Sequence, residues 1–232
     1  MSTLLDAIIF KCNQKPDVRD IDAQGIANLL WAMAKLVDNG QERTPEFKKA
    51  VAALLPHVIA HRDQFNTQGT ANLLWAMGKL VDNRYVRTPE IKATVAVLLP
   101  IVYAQKVNFN PQEIANLLWA MAKLMDNGQK RLPEFNTAVA GLLPHLNVHK
   151  ANKPDEIANL LWAMAKLVDN DQKPSPGLKE AVVALFPQVS TQKDPFIPQH
   201  TANLLWAMAK LLDNGRSRHQ NSTGPWPRCC PA

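Results

Sequence analysis

The sequence predicts an all-α protein, a right-handed α-solenoid of about five repeats, and two observations lead to this prediction. First, the stretch Ile26–Asn39 returns almost unchanged four more times, starting at Thr70, Ile114, Ile157 and Thr201. Second, the tryptophans of the five copies are separated by 44, 44, 43 and 44 residues. A period of this length is typical of stacked helix pairs or triplets, in which each unit buries its apolar face against its neighbours.

We call the repeated stretch helix A. On a helical wheel of about 100° per residue its apolar residues share one wide face, formed by Ile26, Leu29, Leu30, Met33, Leu36 and Val37. A short polar lead-in precedes each copy and carries Asp, Asn, Thr or Pro, which favour a helix start. The run Asp38-Asn39-Gly40 is expected to end the helix, because Asn or Gly adopts the left-handed conformation that closes a helix.

A second helix is predicted in each of the first four units, and it opens with a cap and a proline, as in Thr44-Pro45-Glu46. Its apolar row runs at helical spacing through Pro56 and consists of Phe47, Val51, Leu54 and Val58. Later units repeat such a row through Pro100, Pro144 and Pro187. Because the row survives the proline, we expect a kinked helix or two short helices in line. Each unit therefore has two long helices, or three helices of which the third is short.

The predicted domain organisation has three parts. Residues 1–20 contain one amphipathic helical stretch, a divergent half-unit expected to cap the array. Residues 21–214 form the repeat array, with units starting near residues 21, 65, 109, 152 and 196, and residues 215–232 form a basic tail expected to be disordered. The fifth helix A has no second helix after it, although solenoids normally protect such an end with a polar cap. The sequence leaves open a fragment, a truncated product or half of an end-to-end assembly.

Composition limits the classes of function. The formal net charge of +6 permits an anionic partner without requiring one. The three cysteines, Cys12, Cys229 and Cys230, show neither metal-site nor disulfide-scaffold spacing, which fits a reducing compartment. No apolar run approaches the roughly 20 residues of a membrane span, and no cleaved signal peptide is recognised. We therefore expect a soluble intracellular protein, or one secreted by a route without a cleaved signal, and no membrane partner.

No motif in the chain indicates catalysis. The six histidines do not recur with a carboxylate or a cysteine at triad-like or metal-like spacing, and there is no Gly-rich phosphate loop. Asp38 and its equivalents are expected to bond the neighbouring backbone or to pair with lysine rather than to act as acids. The sequence predicts a non-enzymatic protein with no catalytic residue, metal site, cofactor or small-molecule substrate.

One polar column on the remaining face of helix A recurs in all five copies. It contains an asparagine, a tryptophan and a lysine at offsets of three and four, which align side chains along a helix. The candidate ligand-binding residues are Asn28, Trp31, Lys35, Asn72, Trp75, Lys79, Asn116, Trp119, Lys123, Asn159, Trp162, Lys166, Asn203, Trp206 and Lys210. In a regular stack they form three parallel ladders along one face, which we call the Asn/Trp/Lys ladders.

Two interpretations of the ladders stay open. In the first they line a groove, where the amide reads a ligand, the indole stacks on a base or clamps an aliphatic stem, and the ammonium meets phosphate or carboxylate. In the second, tryptophan fills the gap between units, asparagine bonds an inter-helix carbonyl, and lysine faces solvent. Near-identity of the copies suggests a uniform ligand backbone, a shared packing role or recent duplication. Selectivity would then come from variable positions such as Gln41, Arg43, Tyr85, Lys130 and the lead-in residues.

The string Gln-x-x-Ala-Asn-Leu-Leu-Trp-Ala-Met-Ala-Lys-Leu at Gln24–Leu36 resembles the repeat signature of octotricopeptide-repeat proteins and of the helical region of FAST-kinase-domain proteins. It is also similar to helical repeats in effectors of plant-associated and intracellular bacteria. The resemblance covers about residues 21–214 and implies an α-solenoid and, for the octotricopeptide group, single-stranded RNA binding. The period here is longer than in that group, which fits the effector-like repeats better, and no RAP-type domain follows.

A looser likeness is to the third helix of armadillo repeats, in which an asparagine four residues after the tryptophan holds an extended peptide. Lysine occupies that place in all five units, as at Lys35. Because lysine cannot accept a hydrogen bond, a peptide gripped in this way should be acidic.

These observations predict a binding scaffold that recognises a protein partner, as a bacterial effector-like protein does. Single-stranded RNA binding along the ladders is the alternative, and a remnant of a larger protein with its active domain elsewhere is the third.

Overall fold

The computed structural model describes residues 2–13, 21–42, 44–82, 88–126, 133–146, 153–169, 176–192 and 195–216. Every regular element within these ranges is helical. The helices are α1 (Ser2–Asn13), α2 (Ala23–Asp38), α3 (Pro45–Ala60), α4 (Thr67–Asp82), α5 (Pro89–Gln105), α6 (Pro111–Asp126), α7 (Pro133–Leu142), α8 (Pro154–Asp169), α9 (Pro176–Thr191) and α10 (Pro198–Arg216). Short 3₁₀ turns at Arg62–Gln64 and Leu143–His145 follow α3 and α7. The predicted all-α class is confirmed for this part of the chain.

The helices lie in two rows. In the first row, α2, α4, α6, α8 and α10 pack in succession, and these five helices contain the five copies of helix A. In the second row, α1 packs on α3, α3 on α5 and α5 on α7, while α9 contacts the turn that follows α7. Each helix from α2 to α8 in the first row also packs against the second-row helix that follows it. One hydrophobic core runs from Leu5 to Ala207.

Side-chain caps explain where the first-row helices begin. The Asp22 carboxylate accepts a hydrogen bond from the Gly25 N–H at 2.7 Å, ahead of α2. Ahead of α6, the Asn110 side chain accepts from the Glu113 N–H and the Glu113 carboxylate accepts from the Asn110 N–H, both at 2.9 Å. This reciprocal pair is a capping box, which satisfies two N–H groups that the first turn leaves unpaired.

The end of α2 follows the sequence prediction. Gly40 has φ of 85°, in the left-handed region. The Gln41 N–H donates to the Leu36 carbonyl at 2.9 Å, and the Gly40 N–H donates to the Val37 carbonyl at 3.1 Å. These two bonds form a Schellman motif, which requires a residue that tolerates positive φ just past the helix.

The proline of the second helix lies inside the helix in three units and after its end in the remaining one. The helices α3, α5 and α9 continue through Pro56, Pro100 and Pro187, whereas α7 stops at Leu142 and Pro144 lies in the 3₁₀ turn. The sequence before Pro144 has Gly141 where α3 has Ala53, and glycine in a helix costs about 1 kcal/mol relative to alanine. A Cβ on Gly141 would lie 2.9 Å from the Tyr103 ring. The close approach of Tyr103 therefore favours glycine, and the weaker helix ends before the proline.

Two helices, α1 and α10, lie at the predicted domain boundaries. The half-unit predicted for residues 1–20 contains α1, which packs against α3. The last helix extends to Arg216, past the predicted end of the array at residue 214. Residues 217–232, most of the predicted tail, lie outside the described residues. No helix in the described ranges combines the length and apolar character needed to cross a bilayer.

Two hydrogen bonds at the start of α3 set the pKa of Glu46. Hydrogen bonds from the Glu46 backbone N–H and then from the Thr44 hydroxyl lower the pKa of Glu46. A lowered pKa adds stability that is present above the unfolded-state pKa and is lost as pH falls through the folded-state pKa. Replacing Thr44 by Val removes one donor, so NMR titration should find the pKa of Glu46 raised and closer to the ordinary glutamate value.

Glu90 supplies the internal control for this titration. Its pKa is lowered in the same way, by its own backbone N–H and by Thr88. Thr44→Val should leave the pKa of Glu90 unchanged. An unchanged pKa of Glu46 in this variant would contradict the role given to Thr44.

Candidate ligand groove

The tryptophans of the first row lie against one another along the stack. The ring centroids of Trp31 and Trp75 are 6.3 Å apart, those of Trp75 and Trp119 are 6.2 Å apart, and those of Trp162 and Trp206 are 6.3 Å apart. The rings of these pairs are tilted by 31° to 37°. Aromatic side chains whose centroids lie within about 7 Å of each other are in contact. The predicted tryptophan ladder is therefore formed by direct ring contacts in these pairs.

Each lysine from the first four units bridges the tryptophan of its own unit and that of the next. The Lys35 Nζ lies 5.7 Å from the Trp31 centroid and 4.8 Å from the Trp75 centroid. Lys79 repeats this geometry at 5.5 Å from Trp75 and 4.7 Å from Trp119. The corresponding distances in the next two units are 5.7 and 4.4 Å for Lys123, and 5.8 and 4.5 Å for Lys166. In all four cases the ammonium is closer to the following unit, so cation–π contacts link consecutive helices.

An ion pair adds to this linkage between the first two units. The Lys79 Nζ lies 2.7 Å from the Asp38 carboxylate, and both side chains are largely shielded, at 19% and 34% exposed. Asp38 therefore pairs with a lysine, one of the two roles that the sequence predicts for it. Because the partner lysine belongs to the next unit, this pair holds α2 to α4.

Burial of the tryptophans depends on their place in the stack. Trp119 and Trp162 are each 9% exposed, whereas Trp31 is 40% exposed, and Trp75 and Trp206 are half-buried. The five lysines of the ladders are half-buried as well. The idea that lysine simply faces solvent is therefore wrong, because Lys35, Lys79, Lys123 and Lys166 contact indole rings. The expectation that tryptophan fills the gap between units agrees with the burial of Trp119 and Trp162.

The asparagine ladder is oriented by residues that sequence reasoning left out of the candidate site. The Gln24 side chain donates to the Asn28 side-chain oxygen at 3.0 Å, and Gln112 donates to that of Asn116 at 3.3 Å. The position four residues before each asparagine lies on the same helix face, and it is occupied by Gln24, Gln68, Gln112, Asp155 and Gln199. The repeat string already contained this glutamine, and the offset of four was the signal that could have placed it in the column.

A groove of about 530 Å³ runs along the ladders, and we call it the ladder groove. The predicted residues that line it are Trp31, Lys35, Trp75, Lys79, Asn116, Trp119, Lys123, Asn159, Trp162 and Asn203. The other predicted residues, Asn28, Asn72, Lys166, Trp206 and Lys210, are not part of its lining. The lining also contains residues absent from the prediction, namely Gln112, Ala115, Asp155, Glu156, Gln199 and His200, together with Asp38.

The groove is balanced in charge and rich in amides. Lys35, Lys79 and Lys123 line it together with Asp38, Asp155 and Glu156, so three cationic side chains face three carboxylates. Its variable part lies at the lead-in positions, which contribute Gln112 in the third unit, Asp155 and Glu156 in the fourth, and Gln199 and His200 in the fifth. The Nδ1 atom of His200 is buried and has no hydrogen-bond partner among the described residues. A groove with these features can hydrogen-bond a polar ligand, but it offers little excess positive charge for a polyanion.

The described part of the chain is all-helical, and its first row of helices carries a recessed groove lined by amide side chains. Comparison of the chain with protein-family models, with curated proteins and with solved structures finds no match.

Proposed function

We propose that the chain is a right-handed α-solenoid that acts as a non-enzymatic scaffold and binds an extended segment of a partner protein in the ladder groove. The observation that carries this proposal is the lining of the groove by repeated amide side chains, of which Asn116 is held by Gln112, together with balanced charge. The resemblance to bacterial effector repeats supports the further proposal that the protein is effector-like. Its location, in the cytoplasm or secreted into a host cell, belongs to the same proposal.

Repeated amides suit a polypeptide backbone. An asparagine side chain both donates and accepts, as a peptide group does, and Asn116, Asn159 and Asn203 recur along the groove at the same place in consecutive units. The bond from Gln112 engages the oxygen of Asn116 and orients the amide group. An amide held in this way can donate its N–H groups to the carbonyls of a bound strand without a large loss of side-chain entropy.

The lysines argue against a nucleic-acid backbone as the preferred ligand. Affinity for a nucleic-acid backbone comes largely from cationic side chains that neutralise phosphates and release the counterions bound to them. In the ladder groove the Lys79 ammonium is already paired with Asp38 and lies over two indoles. A base stacking between Trp31 and Trp75 would have to displace Lys35, whose ammonium lies 4.8 Å from the Trp75 centroid. Single-stranded RNA binding along the ladders is therefore the alternative function, and the experiment below distinguishes it from peptide binding.

The test selects peptides from a random peptide library on the purified 232-residue chain and measures the affinity of a selected peptide by fluorescence anisotropy. In the double variant Asn116→Ala/Asn159→Ala, binding should be about 5- to 150-fold weaker, because each lost hydrogen bond is worth about 0.5–1.5 kcal/mol. Asn108→Ala is the matched control, since Asn108 is exposed between α5 and α6 and does not line the groove.

Two results would overturn the proposal. One is a selected peptide that binds the double variant as tightly as it binds the unchanged chain. The other is a selection that yields no peptide while random single-stranded RNA binds with an affinity that falls steeply as salt is raised.

A further inference from the structure

The last first-row helix exposes a face that the same residues bury elsewhere. Leu205 of α10 is 63% exposed, although its equivalent in α6, Leu118, is 0% exposed. Met208 is 38% exposed, whereas the equivalent Met121 is 0% exposed. The other first-row helices, α2, α4, α6 and α8, are covered on this side by the first-row and second-row helices that follow them. Since α10 is the last described helix, none of the described residues supplies this cover.

Helix α2, at the beginning of the first row, exposes the opposite face. Ala32 and Leu36 of α2 are exposed, at 38% for Leu36, while the equivalents Ala120 and Leu124 in α6 are 0% exposed. Helices α4, α6, α8 and α10 each have a first-row helix before them that covers this side. Among the described residues, no first-row helix precedes α2. The two ends of the first row thus present the two halves of the contact that joins its interior helices.

An interior contact shows how these halves fit. Gly78 of α4 lies against α6, where an added Cβ would stand 3.2 Å from the Cα of Ala120. The corresponding positions at the two ends are Ala209 of α10 and Ala32 of α2, and both are exposed. Ala209 carries the Cβ that Gly78 lacks, so the end contact resembles those of the units that have alanine at this position, where Ala34, Ala122 and Ala165 are 0% exposed. The end faces therefore match each other in shape as well as in apolar character.

The second row provides the same match. The helix α1 packs on α3 and lies in the row that contains the second helix of each unit. It exposes Leu4 and Phe10, at 63% and 66%. In the fourth unit the second-row helix α9 packs on α8, and α10 has no such neighbour among the described residues. In a second molecule stacked beyond α10, α1 would occupy the second-row position next to α10. It would then be the neighbour that α10 lacks.

We propose that a second copy of this chain docks end to end, so that α1 and α2 of one copy cover α10 of the other. In this arrangement α10 and the neighbouring copy's α1 complete one helical unit, and Leu205 and Met208 are buried as Leu118 and Met121 are. The contact joins two different faces, so it leaves one free end of each kind and can repeat into open chains. It also extends the tryptophan ladder, because Trp206 of one copy precedes Trp31 of the next. This inference goes beyond binding in the ladder groove and does not depend on it.

The experiment uses the full chain and analytical ultracentrifugation over a hundredfold range of concentration. The unchanged chain should form assemblies that grow past two copies as concentration rises. Leu205→Glu should block the α10 end and Ala32→Glu the α2 end, so each variant alone should sediment as a monomer. Val107→Glu is the control, because Val107 is 62% exposed in the segment between α5 and α6 and away from both ends. It should assemble as the unchanged chain does.

Mixing the two end variants gives the decisive measurement. Each variant keeps one intact end, and the two intact ends are complementary, so an equimolar mixture should form a dimer and nothing larger. Circular dichroism of each variant checks that its helix content is retained, which the exposure of both positions favours.

Three outcomes would overturn the proposal. The unchanged chain could stay monomeric at the highest concentration, as it would if residues 217–232 of the same molecule covered α10. The assemblies could stop at two copies, which indicates a symmetric contact between like ends. The mixed variants could also fail to associate although each retains its helix content.

Discussion

Replacing Leu118 by Ala is expected to lower the free energy of unfolding by about 2–5 kcal/mol, the range found for leucine in well-packed cores. Leu118 is 0% exposed and lies on α6, which packs against α4, α7 and α8. Removing its side-chain atoms loses their transfer energy and leaves a cavity that three neighbouring helices hinder from closing. Urea denaturation followed by circular dichroism measures the change, at a protein concentration low enough to keep the chain monomeric.

The repeat provides a matched control for this variant. Leu205 occupies the same place in its unit, next to the tryptophan, but is 63% exposed. Leu205→Ala should change the free energy of unfolding by no more than about 0.5 kcal/mol, as is usual at surface positions. Equal losses in the two variants would mean that burial in the stack does not determine the contribution of this leucine.

Replacing Trp119 by Ala is expected to destabilise the protein by about 3–5 kcal/mol. Trp119 is 9% exposed, its ring lies 6.2 Å from that of Trp75, and it accepts cation–π contacts from Lys79 and Lys123. The variant loses the apolar burial of the indole and leaves two half-buried ammonium groups without this ring. The same urea denaturation measures the effect.

Trp31→Ala is the control at the equivalent place in the first unit. Trp31 is 40% exposed and has a neighbouring tryptophan ring on one side, that of Trp75. Its loss should cost about 1 kcal/mol, since less apolar surface is exposed to water on unfolding. Iodide quenching gives an independent check, because the fluorescence of Trp31 should be quenched more strongly than that of Trp119 or Trp162. Equal destabilisation by the two variants would contradict a packing role that depends on burial.

Much of the local structure could be predicted from the repeated sequence. The helical wheel of Ile26–Asn39 identified the apolar face of helix A, and the left-handed end fell at Gly40. The start at Pro45 after Thr44 was also predicted. In the structure the Thr44 hydroxyl accepts a hydrogen bond from the Phe47 N–H at 3.2 Å, as expected of a helix cap. These features depend on residues within a few positions of one another, which the sequence displays directly.

Other features of the candidate site could be predicted only in part. The alignment of Asn116, Trp119 and Lys123 on one face follows from their spacing. The position of the Lys123 ammonium over Trp162 does not, because it depends on how closely α6 and α8 approach. The lead-in residues were predicted only as a general source of selectivity. Asp155 and His200 were not placed in the groove, because neither repeats the residue type found in the first three units.

By itself the sequence determined the period, the face and limits of helix A, and the Asn/Trp/Lys column, because these depend on helical geometry within a single unit. The tertiary structure alone decided which copies of the same residue are buried. Leu118 and Leu205 have the same flanking residues, yet one is enclosed by neighbouring helices and the other faces solvent. It also decided that the lysines join one unit to the next. Burial and contacts between units depend on which helices lie on either side, and local sequence cannot encode that when every copy is nearly identical.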